Sequence, residues 1–537
     1  MNEKFARSGV LFVQYLKRDW TKIIFWLIGL GIFSGGFVPA FEEISKGQGL
    51  VGMYETLKNP AMISMVGPTA AKTATDYTIG AMYAHTMLLF CALFAMIVTA
   101  LHVVSHTRKE EELGLTELIR SFQVGRQANS LAVVFEIILI NSILTIIIAG
   151  MMGFFQVSSI DWEGSFLFGL SIGVAGIFGG LLALVFAQLM PNSSGATGIT
   201  LGIIGVLYMV RAGTDVSNED LTAWNPLGWT YLTYPFTENN WMYLYWLLIG
   251  TLGLFILAVL LENYRDMGAG YLPEKTGRAY AKRSLLSIRG FLIRINQGMI
   301  VGWLVAFAAL GVAYGSIYGD MQKFLDSNEL MKQMFTHTGT SIEASFTSTI
   351  VVVLVMFVAI LPIAIINKLF AEETHLRFSQ LYVTKVTRAK LFVTTMLLAM
   401  LVSIIGIFLS VSMLGGSALY VMNESATITV YDFLAAGFNL YPAVCFFIGL
   451  SAFLLGWFPR LGMVSYIYLS YAFILDYFGG ILDLPDWFAK TGIFKWLPKL
   501  PMEAFDGVAF SSILAISVLL VILGFYGYKH RDLLEGA

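Results

Sequence analysis

Four ionisable residues of this 537-residue chain, His85, Glu136, Arg211 and Asp476, stand inside or at the ends of long apolar runs. An ionisable group in hydrocarbon is costly unless paired or hydrated, so such residues either mark a path through a membrane or snorkel to its surface. Arg211 falls one residue from the position that corresponds to Asp476 at a displacement of 266 residues. The two would form a lateral pair, line an external mouth or simply reach water. No series of such groups crosses the membrane, so no proton relay is expected. The six histidines are scattered. His102 and His106 have helical spacing but no HExxH context, and no metal centre is expected. Cys91 and Cys445 each lie in an apolar run, which leaves neither a disulfide framework nor a thiolate metal site. Gly67 to Thr73 (GPTAAKT) looks like a phosphate-binding loop but has Ala71 where the cradle needs glycine and is one residue short. A nucleotide site within the chain is therefore not expected, and no convergent cluster for a membrane enzyme is read.

The elements that carry these residues follow from composition. Hydrophobic residues make up 57% and charged residues 13%, and the mean hydropathy is +0.74. For most of the chain the solvent must be lipid. A net charge of -2 argues against a nucleic-acid partner. Apolar runs near the ~20 residues needed to cross hydrocarbon lie near 23–40, 77–104, 131–154, 166–190, 198–210 and 241–261, and again near 299–318, 346–370, 391–413, 433–458, 463–478 and 510–526. With the N-terminus in the cytoplasm, the cytoplasmic loops and ends hold 24 of the 33 Lys and Arg and the opposite loops hold 8, with Arg211 inside a span. By the positive-inside rule both termini are cytoplasmic. The short fifth and eleventh runs count as spans, since omitting either would split the basic loops between the two sides. The charged start, Met1 to Trp20, leads into a long span with no small-residue cleavage site, so no removable signal peptide is expected.

Internal matches divide the chain in two. Arg265-Asp266 with Gly270 answers Arg531-Asp532 with Gly536, 266 residues on. Glu110, Glu111, Val124 and Arg126 answer Glu372, Glu373, Val386 and Arg388 at 262. Pro191 answers Pro459, and Trp224 and Pro226 answer Trp496 and Pro498. The expected fold is all-α and integral to the membrane, with about twelve spans as two parallel-repeated six-helix halves, residues 1–270 and 271–537. Val10 to Trp20 and Leu285 to Ile295 read as amphipathic helices in the headgroup region before spans one and seven. The apolar segments Thr214–Asn240 and Ile481–Gly507 are expected to fold back as short re-entrant helices. Gly169, Gly173, Gly176, Gly179 and Gly180 suit close helix packing.

An interfacial helix, six spans, a long loop after the second span and a Trp- and Pro-containing segment before the sixth resemble the type-2 ABC exporter permeases. The double length, the Glu-Glu loop and the Arg-Asp ending resemble in particular the permeases of polyketide-antibiotic exporters of the tetronasin- and narasin-resistance type. The resemblance implies a bacterial plasma-membrane permease without its own hydrolytic site. It implies that a separate ABC-type ATPase, two copies per chain, powers the permease and binds the ATP and Mg. It also implies coupling helices in the loops Thr107 to Arg126 and Glu372 to Arg388, with Glu110, Glu111, Glu117, Leu118, Arg126, Glu372, Glu373 and Arg388 as contacts. The second loop departs, having Leu376 for Gly114 and Ser379 for Glu117. On charge alone the same loops read as solvated segments that only set topology.

Aromatic and thioether side chains in the second, fifth, eighth and eleventh spans suit a broad surface for a bulky lipophilic molecule. Tyr83, Phe90, Tyr208, Met356, Phe357, Tyr468 and Phe473, with His85, Arg211 and Asp476, form the candidate path. Such residues also serve packing and lipid contact. A secondary-active drug carrier, or an ABC transporter of a lipid or lipid-linked precursor, remains the alternative. The carrier would have a short Gly/Asp/Arg turn after span two rather than a Glu-rich stretch of about twenty residues.

Overall fold

The structure is a computed structural model that describes residues 3–47, 49–58, 60–273, 279–316, 318, 342–374, 377–384, 386–422, 428–478 and 485–532. Eleven helical segments among these residues are long and apolar enough to cross a membrane. The chain divides into two compact units, Met1–Thr276 and Gly277–Ala537.

The long helices of the first unit are α1 (Ser8–Gly35), α2 (Ile79–His106), α5 (Ala128–Phe154), α6 (Trp162–Leu189), α7 (Ser193–Ser217) and α8 (Trp241–Tyr264), with two short ones, α3 (Arg108–Glu112) and α4 (Leu115–Arg120), after α2. Helix α1 packs on α5, α2 on α6, α5 on α6, and α6 on α8. The second unit contains α9 (Ile288–Ser316), α10 (Ile342–Thr374), α11 (Arg388–Met422), α12 (Val430–Asn439), α13 (Tyr441–Trp457), α14 (Val464–Phe478) and α15 (Gly507–His530). There α9 packs on α11, α10 on α13, α11 on α13, and α13 on α15, which is the same order of pairing. The tenth apolar run is two helices, α12 and α13, with a break at Leu440 just before Pro442. Proline lacks the N–H that a continuous helix needs there. The eleventh is α14, with 15 residues.

The expected interfacial helix before the first span is instead the first turns of α1. The buried positions Ser8, Tyr15, Asp19, Ile23, Leu27, Leu30 and Ser34 make one stripe at helical spacing along its 28 residues. A helix of that length runs about 42 Å, well beyond a ~30 Å hydrocarbon layer. Residues 288–295 are likewise the start of α9.

Helix α6 is the axis of the first unit, and its glycines permit that. A Cβ at Gly179 would stand 2.7 Å from the Met96 backbone of α2. One at Gly173 or Gly176 would overlap Thr145 or Asn141 of α5. Small residues let backbones approach this closely where no hydrophobic force acts between helices in lipid.

The segment after α7 folds back onto its own unit through two short helices, Glu219–Thr222 and Gly228–Tyr231. Leu227, Tyr231 and Leu232 are buried, while Trp224 is 84% exposed, the placement of an interfacial aromatic. In the second unit, Phe494 and Leu497 are buried and Trp496 is exposed. A cysteine at Leu227 should therefore react with a maleimide at least tenfold more slowly than one at Trp224 in the detergent-solubilised chain. Native Cys91 and Cys445 are buried and give little background. Equal rates at the two positions would mean that the segment is a free loop.

Candidate functional site

The loop after α2 is built by two interruptions. Thr107 leaves helical geometry, and Gly114 turns the chain at φ +73°, a left-handed conformation that favours glycine. Between them α3 directs three acidic side chains to different partners. Glu110 takes Arg18 at 2.8 Å and the Tyr15 hydroxyl at 3.1 Å, both from α1. Glu111 takes Arg108 and Arg265 at 2.9 Å each and accepts the Gly268 N–H at 2.7 Å. Glu112 accepts the Ser193 N–H and hydroxyl at the start of α7, both at 2.6 Å. Arg108 is buried and also donates to the Gly268 carbonyl at 3.1 Å. Arg126 donates to the carbonyl of Arg265.

The second unit builds the same clasp from the matching residues. Glu373 pairs with Arg531 and, at 4.0 Å, with Arg388. Arg388 donates to the carbonyl of Arg531 at 2.8 Å. The guanidinium groups of Arg388 and Arg531 each lie 5.0 Å from the Tyr528 ring centre. Glu372 has a local partner, Arg377, at 2.9 Å. The repeated Glu, Arg and Arg-Asp positions thus tie the loop after the second span to the end of the sixth, within each unit. Such charge-assisted contacts fix geometry.

This arrangement separates the eight candidate contact residues. Glu110, Glu111, Arg126, Glu373 and Arg388 are engaged in holding their loops, and Glu372 is paired locally with Arg377. Glu117 and Leu118 face outward, and Leu113, Leu115 and Phe122 are exposed beside them. Four large apolar side chains presented on a charged, clasped loop form a surface of the kind that partners cover. Leu376, the counterpart of Gly114, lies outside the described residues.

The candidate path residues also separate. Tyr83 is fully buried, and its hydroxyl donates to the Ser34 carbonyl at 3.0 Å. Both ring nitrogens of His85 are engaged, by the Tyr77 hydroxyl at 3.0 Å and the Gly67 carbonyl at 2.8 Å. Phe90 packs against the cluster around Tyr54 and Tyr77. Arg211 is fully buried, paired with Asp215 at 2.9 Å, and donates to the carbonyls of Ser64 and Met65. Its guanidinium lies 4.5 Å from the Tyr208 ring centre. Asp215 in turn accepts from Tyr231 and Thr222, so this group anchors the fold-back segment. Asp476 pairs with Lys499 at 3.0 Å. Each of the two charges is therefore neutralised inside its own unit. The four-residue spacing of Arg211 and Asp215 on one helix face was the available sequence signal.

Three path residues do meet around open space. Met356 and Phe357 of α10 and Phe473 of α14 line an apolar cavity of about 310 Å³ with Ile360, Tyr466 and Ile474. Tyr468, on the same helix, is outside this lining and donates to the Thr491 carbonyl at 2.9 Å.

Over 536 residues the chain is 25% identical to the "Multidrug efflux system permease protein Rv1217c" of Mycobacterium tuberculosis, covering 96% of this chain and 94% of that protein. The chain is homologous to a multidrug efflux permease. The family described as "Multidrug efflux system permease Rv1217c, C-terminal domain" matches residues 285–529, which fall within the second unit. The matched stretch contains the whole cavity lining together with Glu373 and Arg388, and ends two residues before Arg531. The homology supports a membrane transport subunit, and the apolar helices make it multi-pass.

Proposed function

We propose that this chain is the permease of an ATP-driven exporter of bulky lipophilic compounds. Hydrolysis belongs to a separate ABC-type ATPase, two copies per chain, that binds ATP and Mg. One observation carries the reading: a loop clasped rigidly to the bundle by Glu111, Arg108 and Arg265 presents Leu113, Leu115, Leu118 and Phe122 to solvent. A loop that is rigid and exposes apolar side chains can both bind a partner and pass its movement to α2. Co-purification of an ATPase with the tagged chain from its native membrane tests it, and a chain that transports without any ATPase would be a secondary carrier.

The cavity supports a lipophilic cargo. Its lining is aromatic, thioether and aliphatic, which rewards apolar area and tolerates varied shape. A hydrophilic solute stripped of water would need hydrogen-bonding groups there. The resemblance narrows the class to polyketides, polyether ionophores included, and the relative's name to a drug. Phe473→Ala should lower resistance to such compounds while leaving the chain and its ATPase assembled. Losing one aromatic contact weakens binding by about 1.5–3 kcal/mol, on the order of 10- to 100-fold. Unchanged ionophore sensitivity with an altered outer-leaflet lipid composition would identify a lipid as the cargo.

A further inference from the structure

The first unit holds a second cluster that the transport path does not use. His102 and His106 lie one turn apart on α2 with their rings stacked, centres 4.1 Å apart. Glu136 of α5 comes in beside them, its carboxylate 3.2 Å from His102 Nε2. A ligand atom from each of the three lies within 4.8 Å of the others. Glu136 is fully buried, and neither of its oxygens has a hydrogen-bond partner. His102 Nε2 is likewise buried and without a hydrogen-bond partner. A buried carboxylate with no hydrogen-bond partner is stabilised by a cation bound against it.

We propose that His102, His106 and Glu136 bind one divalent transition-metal ion, of the zinc class. A dication bound at a nitrogen of each ring and at the carboxylate would neutralise Glu136 without a charge on either imidazole. The ligand set of two imidazoles and a carboxylate suits Zn²⁺, which takes His nitrogen and Glu oxygen and leaves a fourth position open. Supporting groups for such an ion are in place. His106 Nε2 is 2.9 Å from Asp19, and its Nδ1 is 2.9 Å from the His102 carbonyl, so whichever nitrogen binds, the other keeps an acceptor. Arg18 and Lys22 hold Asp19 at 2.9 Å each, which fixes that acceptor. The ion would tie α1, α2 and α5 together just before the clasped loop, at a point where movement of α3 and α4 enters the bundle.

The full chain in detergent, stripped with a chelator and equilibrated with micromolar Zn²⁺, should bind about one zinc, measured by elemental analysis after desalting. The variants His102→Asn and Glu136→Gln should each lower the affinity at least tenfold, whereas His85→Asn should leave it unchanged. Zinc should also raise the melting temperature of the wild-type chain but not of the two variants. Where a variant does not fold, cobalt in the wild-type chain decides: tetrahedral d–d bands that zinc displaces are expected. No bound metal in the wild-type chain, no such bands, or zinc retained at full affinity by both variants would overturn the assignment.

Discussion

Replacing Glu117 and Leu118 together by alanine is expected to abolish transport and permease-stimulated ATP hydrolysis, with normal membrane insertion and an unchanged melting temperature. Leu118 is 62% exposed, and Glu117 is exposed beside it. Truncating side chains that touch mainly solvent changes folding by no more than about 0.5 kcal/mol. On docking, the same leucine would be buried, and its loss then removes roughly 1.5–3 kcal/mol of apolar burial, about 10- to 100-fold in affinity. Docking and folding therefore separate in this variant. Measured ATPase activity in proteoliposomes, with and without the permease, reads the effect. Normal stimulation in the double variant would place the coupling surface elsewhere.

The clasp should behave in the opposite way. Glu111→Ala is expected to destabilise the first unit by about 3–5 kcal/mol, the range for removing one partner of a buried ion pair. Arg108 and Arg265 would both lose their carboxylate, and Arg108 is almost fully buried. Thermal melting in detergent should show a clear fall, and Glu373→Ala should show one in the second unit, where Arg388 and Arg531 converge on a single carboxylate. The double variant Glu111→Ala/Arg265→Met should recover part of the loss, because one of the two stranded cations is then gone. A melting temperature equal to the wild type in Glu111→Ala would show that the pair contributes nothing net. Stability lost here and function lost at Leu118 would together distinguish the residues that hold the loop from those that present it.

The spans were legible because lipid imposes a length and an apolar composition that a single stretch of chain must satisfy by itself. The repeat was legible for a related reason: the Glu-Glu, Arg and Arg-Asp matches stand at nearly constant separations. What those matched residues do was not. Glu111 and Arg265 are 154 residues apart in sequence, and Glu373 and Arg531 are 158 apart, and only packing of the loop against the end of the sixth span brings each pair into contact. Read from the resemblance, Glu110, Glu111, Arg126, Glu373 and Arg388 were expected to face a partner. The structure engages them within their own units: Glu110, Glu111 and Glu373 in ion pairs, and Arg126 and Arg388 on the backbone carbonyls of Arg265 and Arg531. The amphipathic entry stretches had the right periodicity but the wrong boundary, since nothing in Val10 to Trp20 stops a helix before the span. His102 and His106 lacked a third ligand in sequence; Glu136 reaches them across two helices. The sequence by itself determined which segments lie in lipid and which positions repeat, because those properties are local. Tertiary structure alone decided which charges pair, which apolar side chains stay exposed and where a cavity opens, because each depends on groups brought together from distant parts of the chain.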